Sequence, residues 1–321
     1  MEAKKTSSKQ VVAILLLVIG LIAGVFGILG LVGGGGTDPY EARNGVVMIG
    51  VIAQDSQGNT ASGMGTGFAI GNPGEPVEYI VTNGHVVQKA YEYPRIDPSI
   101  SGKVQVYYSA AENDYVQAQV VYYSSPSEKD IAILKLPSPT DKRVPLKLRE
   151  SDSVSVGETV YALGYPGTAT VGQGFKTFDQ DDITLTRGVI SKKMTPNFST
   201  YSAFQMDTYI SGGNSGGPLV DENGFVVGIN SAGIEASGID IGMNYAIVAD
   251  ELIKILDSER IEYTMAGGGV SWAQPWFAYV FLPIGVLALA GGIILLVTSQ
   301  KNGQGAPVAA GAAAGMGSGK A

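Results

Sequence analysis

Residues 203–220 read Ala203-Phe204-Gln205-Met206-Asp207-Thr208-Tyr209-Ile210-Ser211-Gly212-Gly213-Asn214-Ser215-Gly216-Gly217-Pro218-Leu219-Val220. A short run at 204–208 suits a strand, a turn holding four glycines follows, and a second short run begins at Pro218. The same rhythm recurs upstream and downstream. Runs rich in Val, Ile, Tyr and Thr, broken by Gly, Asn, Asp and Pro, fall at 46–53, 65–70, 79–82, 103–108, 116–123, 131–136, 159–163, 183–191, 204–208, 218–220, 225–230 and 242–248. A dozen short strands with few helical periods predict an all-β sandwich or barrel pair. One helix stands out at 250–260, where Leu252, Ile253 and Leu256 share a face. Asp250 near its start and Arg260 at its end suit the helix dipole. The segment 137–153 holds charged and Pro-containing stretches suited to joining two halves.

Two uncharged runs flank this region. Residues 11–32 follow Lys4, Lys5 and Lys9; residues 277–297 precede Lys301. At about 1.5 Å per residue either run spans a hydrocarbon core of roughly 30 Å. A cleaved signal peptide has an apolar core of only about 7–15 residues. The first run is longer, so it reads as an uncleaved anchor. Trp272, Trp276 and Tyr279 cluster where rings favour the headgroup level. Both lysine-bearing flanks then face the cytoplasm, and the middle region lies outside the membrane on the other side. Gly20 with Gly24, and Ala288 with Gly292, are small-residue pairs at a spacing that permits close helix packing.

The expected organisation is a cytoplasmic N-terminus at 1–10, a span at 11–32 and a linker at 33–44. A catalytic domain at 45–265 is followed by a linker at 266–276, a span at 277–297 and a Gly/Ala-rich tail at 298–321.

Composition removes several kinds of chemistry. The chain has no cysteine and one histidine, so thiolate catalysis, disulfides and cysteine- or histidine-rich metal sites are excluded. No cofactor is expected. The net charge is −8, and only one of the 29 acidic residues lies in the end segments 1–32 and 276–321. An acidic middle region disfavours nucleic acid as a partner.

Any imidazole chemistry must use His85, which sits in Thr82-Asn83-Gly84-His85-Val86-Val87. Upstream stands Gly65-Thr66-Gly67-Phe68-Ala69-Ile70; downstream stands Asp130-Ile131-Ala132-Ile133-Leu134-Lys135-Leu136. Singly, each has an ordinary structural reading: a core histidine, a turn aspartate, a glycine loop. Their joint occurrence in the order His, Asp, Ser changes the odds. A serine hydroxyl needs a neighbouring base to become a nucleophile. Imidazole, which ordinarily titrates at about pH 6.5, accepts and returns a proton near neutrality. A carboxylate fixes the ring tautomer and stabilises the imidazolium. Glycines let a tight turn aim backbone N–H groups at a developing oxyanion. His85, Asp130 and Ser215 are therefore the candidate catalytic residues, with Gly213 and Ser215 as the candidate oxyanion donors.

These stretches resemble the trypsin-like serine peptidases, and among them the HtrA/DegP branch. Further matching pieces are Ala162-Leu163-Gly164-Tyr165-Pro166, Gly188-Val189-Ile190-Ser191, Gln205-Met206-Asp207 and Gly228-Ile229-Asn230, so the resemblance covers roughly residues 45–262. It implies two six-stranded antiparallel β-barrels, with His85 and Asp130 from the first and Ser215 from the second. It also implies polypeptide substrates and a trimeric assembly. The sequence departs from the branch where PDZ domains usually follow: the helix at 250–260 leads into the second apolar run. Asn214 stands where digestive relatives carry the Asp that pairs with a cut N-terminus, so no activation by propeptide cleavage is expected. By the same resemblance Tyr209, Ile210, Asn230, Ser231 and Ala232 line the substrate pocket, which takes a small or medium apolar side chain. The expectation is a membrane-anchored serine endopeptidase acting on unfolded or membrane-adjacent proteins. The alternatives are a regulatory protease of one membrane protein and an idle binding module.

Overall fold

The computed structural model describes residues 8–33, 38–167, 178–197, 199–236, 239–266 and 276–303. It divides into two units, residues 36–266 and the pair of end segments.

Among the described residues the first unit holds twelve strands: β1 (Val46–Gln54), β2 (Thr60–Ile70), β3 (Val77–Thr82), β4 (Ser101–Tyr107), β5 (Tyr115–Tyr123), β6 (Ala132–Thr140), β7 (Thr159–Gly164), β8 (Thr184–Met194), β9 (Ala203–Met206), β10 (Pro218–Val220), β11 (Val226–Ala236) and β12 (Ile239–Val248). They close into two antiparallel barrels, ordered β1-β2-β3-β6-β5-β4 and β10-β11-β12-β9-β8-β7. Every one of the expected strand runs overlaps one of these strands, although several extend beyond the runs.

The apolar pattern explains the architecture. Along a strand successive side chains point to opposite faces. On β1, Val47, Ile49 and Val51 fill the interior of the first barrel, while Val46 and Met48 face a second core. On β6 and the residue before it, Ala132 and Leu134 point inward, and Ile131 and Ile133 point to that same second core. The second barrel mirrors this: Ala246 and Val248 lie in its interior, Tyr245 and Ile247 in the shared core. Strands with both faces covered read as near-continuous apolar runs, which is how they appear in the sequence. Full burial of each Val, Ile, Leu or Met side chain among them is worth about 1.5–3 kcal/mol.

Among the described residues two α-helices pack on this unit. The helix expected near 250 is present as Ala249–Glu259, with Leu252, Ile255 and Leu256 in the shared core. The other, α2 (Gly84–Ile96), carries His85 and was not visible in the sequence. Its β-branched Val86 and Val87, and Pro94 in its last turn, obscure the helical signal. Val86, Val87 and Ala90 nevertheless form its buried face against the first barrel. We number the helices α1 (Ser8–Gly33), α2, α3 (Ala249–Glu259) and α4 (Trp276–Gly303).

The second unit consists of α1 and α4. Both are long and apolar enough to cross a membrane, with mean hydropathies of 2.2 over Ser8–Val25 and 2.7 over Val280–Thr298. They pack on each other through small residues. A Cβ on Gly20 would meet Leu289 and the Gly285 carbonyl; one on Gly285 would meet Gly20 and Gly24; one on Gly292 would meet Leu17 and the Ala13 carbonyl. Rising numbers on α1 match falling numbers on α4, so the helices run antiparallel. Gly20 serves as expected, whereas a Cβ on Gly24 would meet nothing within 4 Å and only its backbone lies against Gly285. Gly292 meets α1; its close partner on α4 is Gly285, seven residues earlier, with Ala288 only half-buried. Trp272, the side chains of Trp276 and Tyr279, and residues 304–321 of the tail lie outside the described residues.

Candidate active site

His85 sits in the first turn of α2. A Cβ on Gly84, just before it, would lie 2.1 Å from the Ser124 carbonyl, so only glycine lets the helix start this close to the β5–β6 loop. That loop ends at Asp130, whose φ of +51° is left-handed. Aspartate and asparagine tolerate this region better than other non-glycine residues. The bend is held by Asp130 N–H donating to the Ser125 carbonyl at 3.0 Å and by the Asn83 amide donating to the Asp130 carbonyl at 2.9 Å.

The bend drives the carboxylate into α2. Asp130 is 2% exposed. Its Oδ1 accepts the His85 main-chain N–H at 2.8 Å, and His85 Nδ1 lies 3.1 Å from Oδ1 and 2.9 Å from Oδ2. Ser231 Oγ donates to Oδ2 at 2.9 Å. A carboxylate at a helix N-terminus satisfies a free N–H and meets the positive end of the dipole. Because the carboxylate only accepts, Nδ1 must donate, which leaves Nε2 as the acceptor.

Ser215 lies in the turn between β9 and β10. Asn214 N–H donates to Ser211 and Gly217 N–H to Asn214, both at 3.0 Å. Gly213 has φ +105°, and a Cβ there would lie 2.3 Å from the Tyr165 carbonyl. The Gly212 carbonyl accepts the Gly167 N–H at 2.6 Å. A trans peptide directs its C=O and N–H to opposite sides, so this bond also fixes where Gly213 N–H points. Among the described residues, the N–H groups of Gly213 and Ser215 have no hydrogen-bond acceptor. The Ser215 hydroxyl donates to the Ser231 carbonyl at 2.9 Å, and no hydrogen bond among the described residues joins it to His85.

The expected pocket residues divide. Tyr209 is exposed, its carbonyl accepting the Thr186 hydroxyl at 2.6 Å. Ser231 belongs to the Asp130–Ser215 cluster. Two of the expected residues turn their side chains inward. Ile210 is 6% exposed and packs in the interior of the second barrel. Asn230 is fully buried, and its amide donates to the Leu163 and Pro218 carbonyls at 3.3 and 3.1 Å. Both side chains are committed to the barrel. The side chain of Ala232 lies outside the described residues. Among the described residues no group of three or more His, Cys, Asp or Glu side chains is placed to hold a metal ion.

Three contributors escaped the sequence reading. The bonds that hold Asp130, from Asn83 to its main-chain carbonyl and from Ser231 to its carboxylate, join distant segments and have no local signature. Thr66 is the third. Its setting between Gly65 and Gly67 in an apolar strand was the available signal.

Around the site, burial pushes the Tyr165 hydroxyl up to about 12, against the opposing pull of Arg143. Burial also lowers the Arg143 guanidinium, which donates to the Val46, Lys142 and Tyr108 carbonyls.

The chain is 34% identical over 198 residues to a probable periplasmic serine endoprotease, DegP-like, of Pseudomonas putida (strain W619), covering 61% of this chain and 34% of that protein. It is 33% identical over 188 residues to the periplasmic serine endoprotease DegP of Salmonella typhimurium, covering 58% and 34%. The chain thus matches about a third of the length of these curated relatives. The solved structure of the HtrA-type protease AlgW with a tripeptide aligns with TM-score 0.50 and 25% identity, over 68% of this chain and 62% of that one. The family model described as trypsin-like peptidase domain matches residues 65–229. That stretch takes in His85, Asp130 and Ser215 together and amounts to half of the sequence, so the chain belongs to the trypsin-like peptidase family, with homologues among the serine endoproteases of the HtrA/DegP type.

Proposed function

We propose that this protein is a membrane-anchored serine endopeptidase that cleaves unfolded or membrane-adjacent polypeptides outside the cytoplasm. The observation that carries the reading is the Asp130–His85 arrangement, in which the carboxylate holds both the ring and the backbone of the same residue. In this reading His85 Nε2 takes the Ser215 proton as Oγ bonds to the scissile carbonyl carbon. The carbonyl π electrons move to oxygen, which accepts from the Gly213 and Ser215 N–H groups. Asp130 stabilises the imidazolium without taking its proton. The imidazolium then protonates the leaving amine as the C–N bond breaks, and water hydrolyses the acyl-enzyme by the same steps. The Ser215 hydroxyl reaches this position by leaving the Ser231 carbonyl, a side-chain torsion of the kind that is fast on the timescale of turnover. Catalytic hydrogen bonds commonly tighten only when substrate is bound.

The antiparallel packing of α1 on α4 supports two retained spans. It places Lys9 and Lys301 at the same end of the pair. A face built for close approach to α4 also suits a permanent span better than a signal sequence. The bond between Ser215 and Ser231 favours a second reading, an idle binding module.

One experiment separates them. The full chain in detergent micelles is expected to hydrolyse casein and to be labelled at Ser215 by a fluorophosphonate, with Ser215→Ala losing both. Wild type and Ser215→Ala that bind casein alike, without turnover, would establish the idle module.

A further inference from the structure

Thr66 lies on β2 of the first barrel, fully buried, and all its polar groups contact the machinery of the second barrel or its own support. Its N–H donates to the Ser215 carbonyl at 2.8 Å. Its hydroxyl donates to the Gly213 carbonyl at 2.7 Å and accepts the Tyr165 N–H at 3.0 Å. Its own carbonyl accepts the Thr82 hydroxyl at 2.7 Å. We propose that Thr66 is a positioning residue for the oxyanion turn, acting through its hydroxyl; this rests on the proteolytic reading above.

The geometry gives the reason. The two candidate oxyanion donors belong to the peptides 212–213 and 214–215. The peptide between them, 213–214, carries the Gly213 carbonyl that Thr66 holds. Gly213 has no side chain to restrict its torsions, and its φ of +105° lies in a region open mainly to glycine. Such a turn has other conformations within reach, and an external bond must select one. Gly167 fixes the first donor peptide through Gly212, and the Thr66 hydroxyl fixes the linking peptide. Because the same hydroxyl accepts from Tyr165, two residues before Gly167, one oxygen registers both strands of the turn against each other.

The site admits little else. A Cβ on Gly164 would lie 2.9 Å from the Thr66 hydroxyl, and one on Gly217 would lie 3.0 Å from its methyl. Thr66 touches neither His85 nor Asp130 in any hydrogen bond among the described residues. Its loss therefore acts on the transition state, through the oxyanion, without changing the base.

The test compares wild type, Thr66→Val and Thr66→Ser as full chains in detergent micelles. The readouts are the fluorophosphonate labelling rate and kcat and KM on a peptide substrate across pH. Removing one oxyanion donor outright lowers kcat by about 10²–10³. Thr66→Val, which leaves the donors present but loosens their frame, is expected to lower kcat by at least ~10-fold. KM and the pH of half-maximal activity should hold. Thr66→Ser, which keeps the oxygen, should stay within about threefold of wild type, a small share of the loss one donor would cause. Thr66→Val with wild-type kcat overturns the proposal. So does Thr66→Ser falling as far as a ~10-fold drop or more, a result that decides the matter even if the valine variant does not fold. Wild type that neither labels nor cleaves overturns the proteolytic reading and this proposal with it. Wild type that labels while Thr66→Val labels equally fast overturns this proposal alone.

Discussion

Replacing Asp130 by Asn probes the proposed base directly, because the structure determines which way the new amide must face. The left-handed φ of +51° suits Asn as well as Asp, and the two side chains have nearly the same shape. The bend should survive. The position of Oδ1 receives the His85 main-chain N–H at 2.8 Å, a donor that has no alternative role. The Asn oxygen must therefore occupy that position. Its NH2 then takes the place of Oδ2, opposite His85 Nδ1 at 2.9 Å and Ser231 Oγ at 2.9 Å. The serine hydroxyl can turn to accept, so it does not resist the exchange. The imidazole can relieve the donor–donor conflict only by moving its proton to Nε2. In that tautomer it no longer accepts the Ser215 proton. The corresponding change in trypsin lowers kcat by about 10⁴, or roughly 5 kcal/mol in the barrier, and the same loss is expected here. The assay is the fluorophosphonate labelling rate at pH 7, with thermal unfolding to confirm the fold. An Asp130→Asn variant that labels within ~10-fold of wild type, far short of that loss, would refute the assignment of Asp130 and the tautomer argument with it.

Three further outcomes are expected. Gly213→Ala places a methyl 2.3 Å from the Tyr165 carbonyl at a φ of +105°, so kcat should fall by about 10²–10³, measured as casein hydrolysis per titrated site. Tyr165 has its hydroxyl raised by burial from 10.0 to about 12, so the folded state holds this proton more tightly than the unfolded chain. Its contribution is whole below pH 10 and is lost as pH rises toward 12, on the order of 2–3 kcal/mol; the melting temperature of Tyr165→Phe should fall less steeply than that of wild type over this window. Because the chain has no cysteine, Ala13→Cys with Gly292→Cys should form a disulfide between α1 and α4 in the membrane-inserted protein, and adding Gly285→Leu should abolish it. A mature chain whose mass lacks α1 would contradict the retained span.

The sequence disclosed the barrels because burial on both faces writes itself into composition. Strand β1 is apolar at nearly every position since alternate side chains enter different cores. Boundaries were less visible where a strand carries little apolar side chain, as in the Thr60–Met64 start of β2, or continues through prolines, as in the end of β6. Helix α2 was missed because His85 is followed by two valines, which favour a strand locally; packing against the first barrel overrides that preference. At the site, His85, Asp130 and Ser215 stood out through their neighbours. The residues that hold them did not. Asn83, Thr66 and Ser231 act across 47, 147 and 101 positions of sequence respectively, and such pairings arise only on folding. The burial of the Ile210 and Asn230 side chains was hidden for the complementary reason: a resemblance fixes position along the chain, whereas the barrel interior decides where a side chain goes.

The core that Val46, Met48 and Phe68 share with Tyr165, Val220 and Ile247 has a further consequence. Neither barrel has a finished surface of its own, since each would expose this apolar layer if released. Fragments cut at the 141–158 connection should therefore precipitate when made singly and regain solubility only when mixed. Heat inactivation should likewise superimpose on the loss of ellipticity as one sigmoid, because no half of the molecule can melt and leave the other intact.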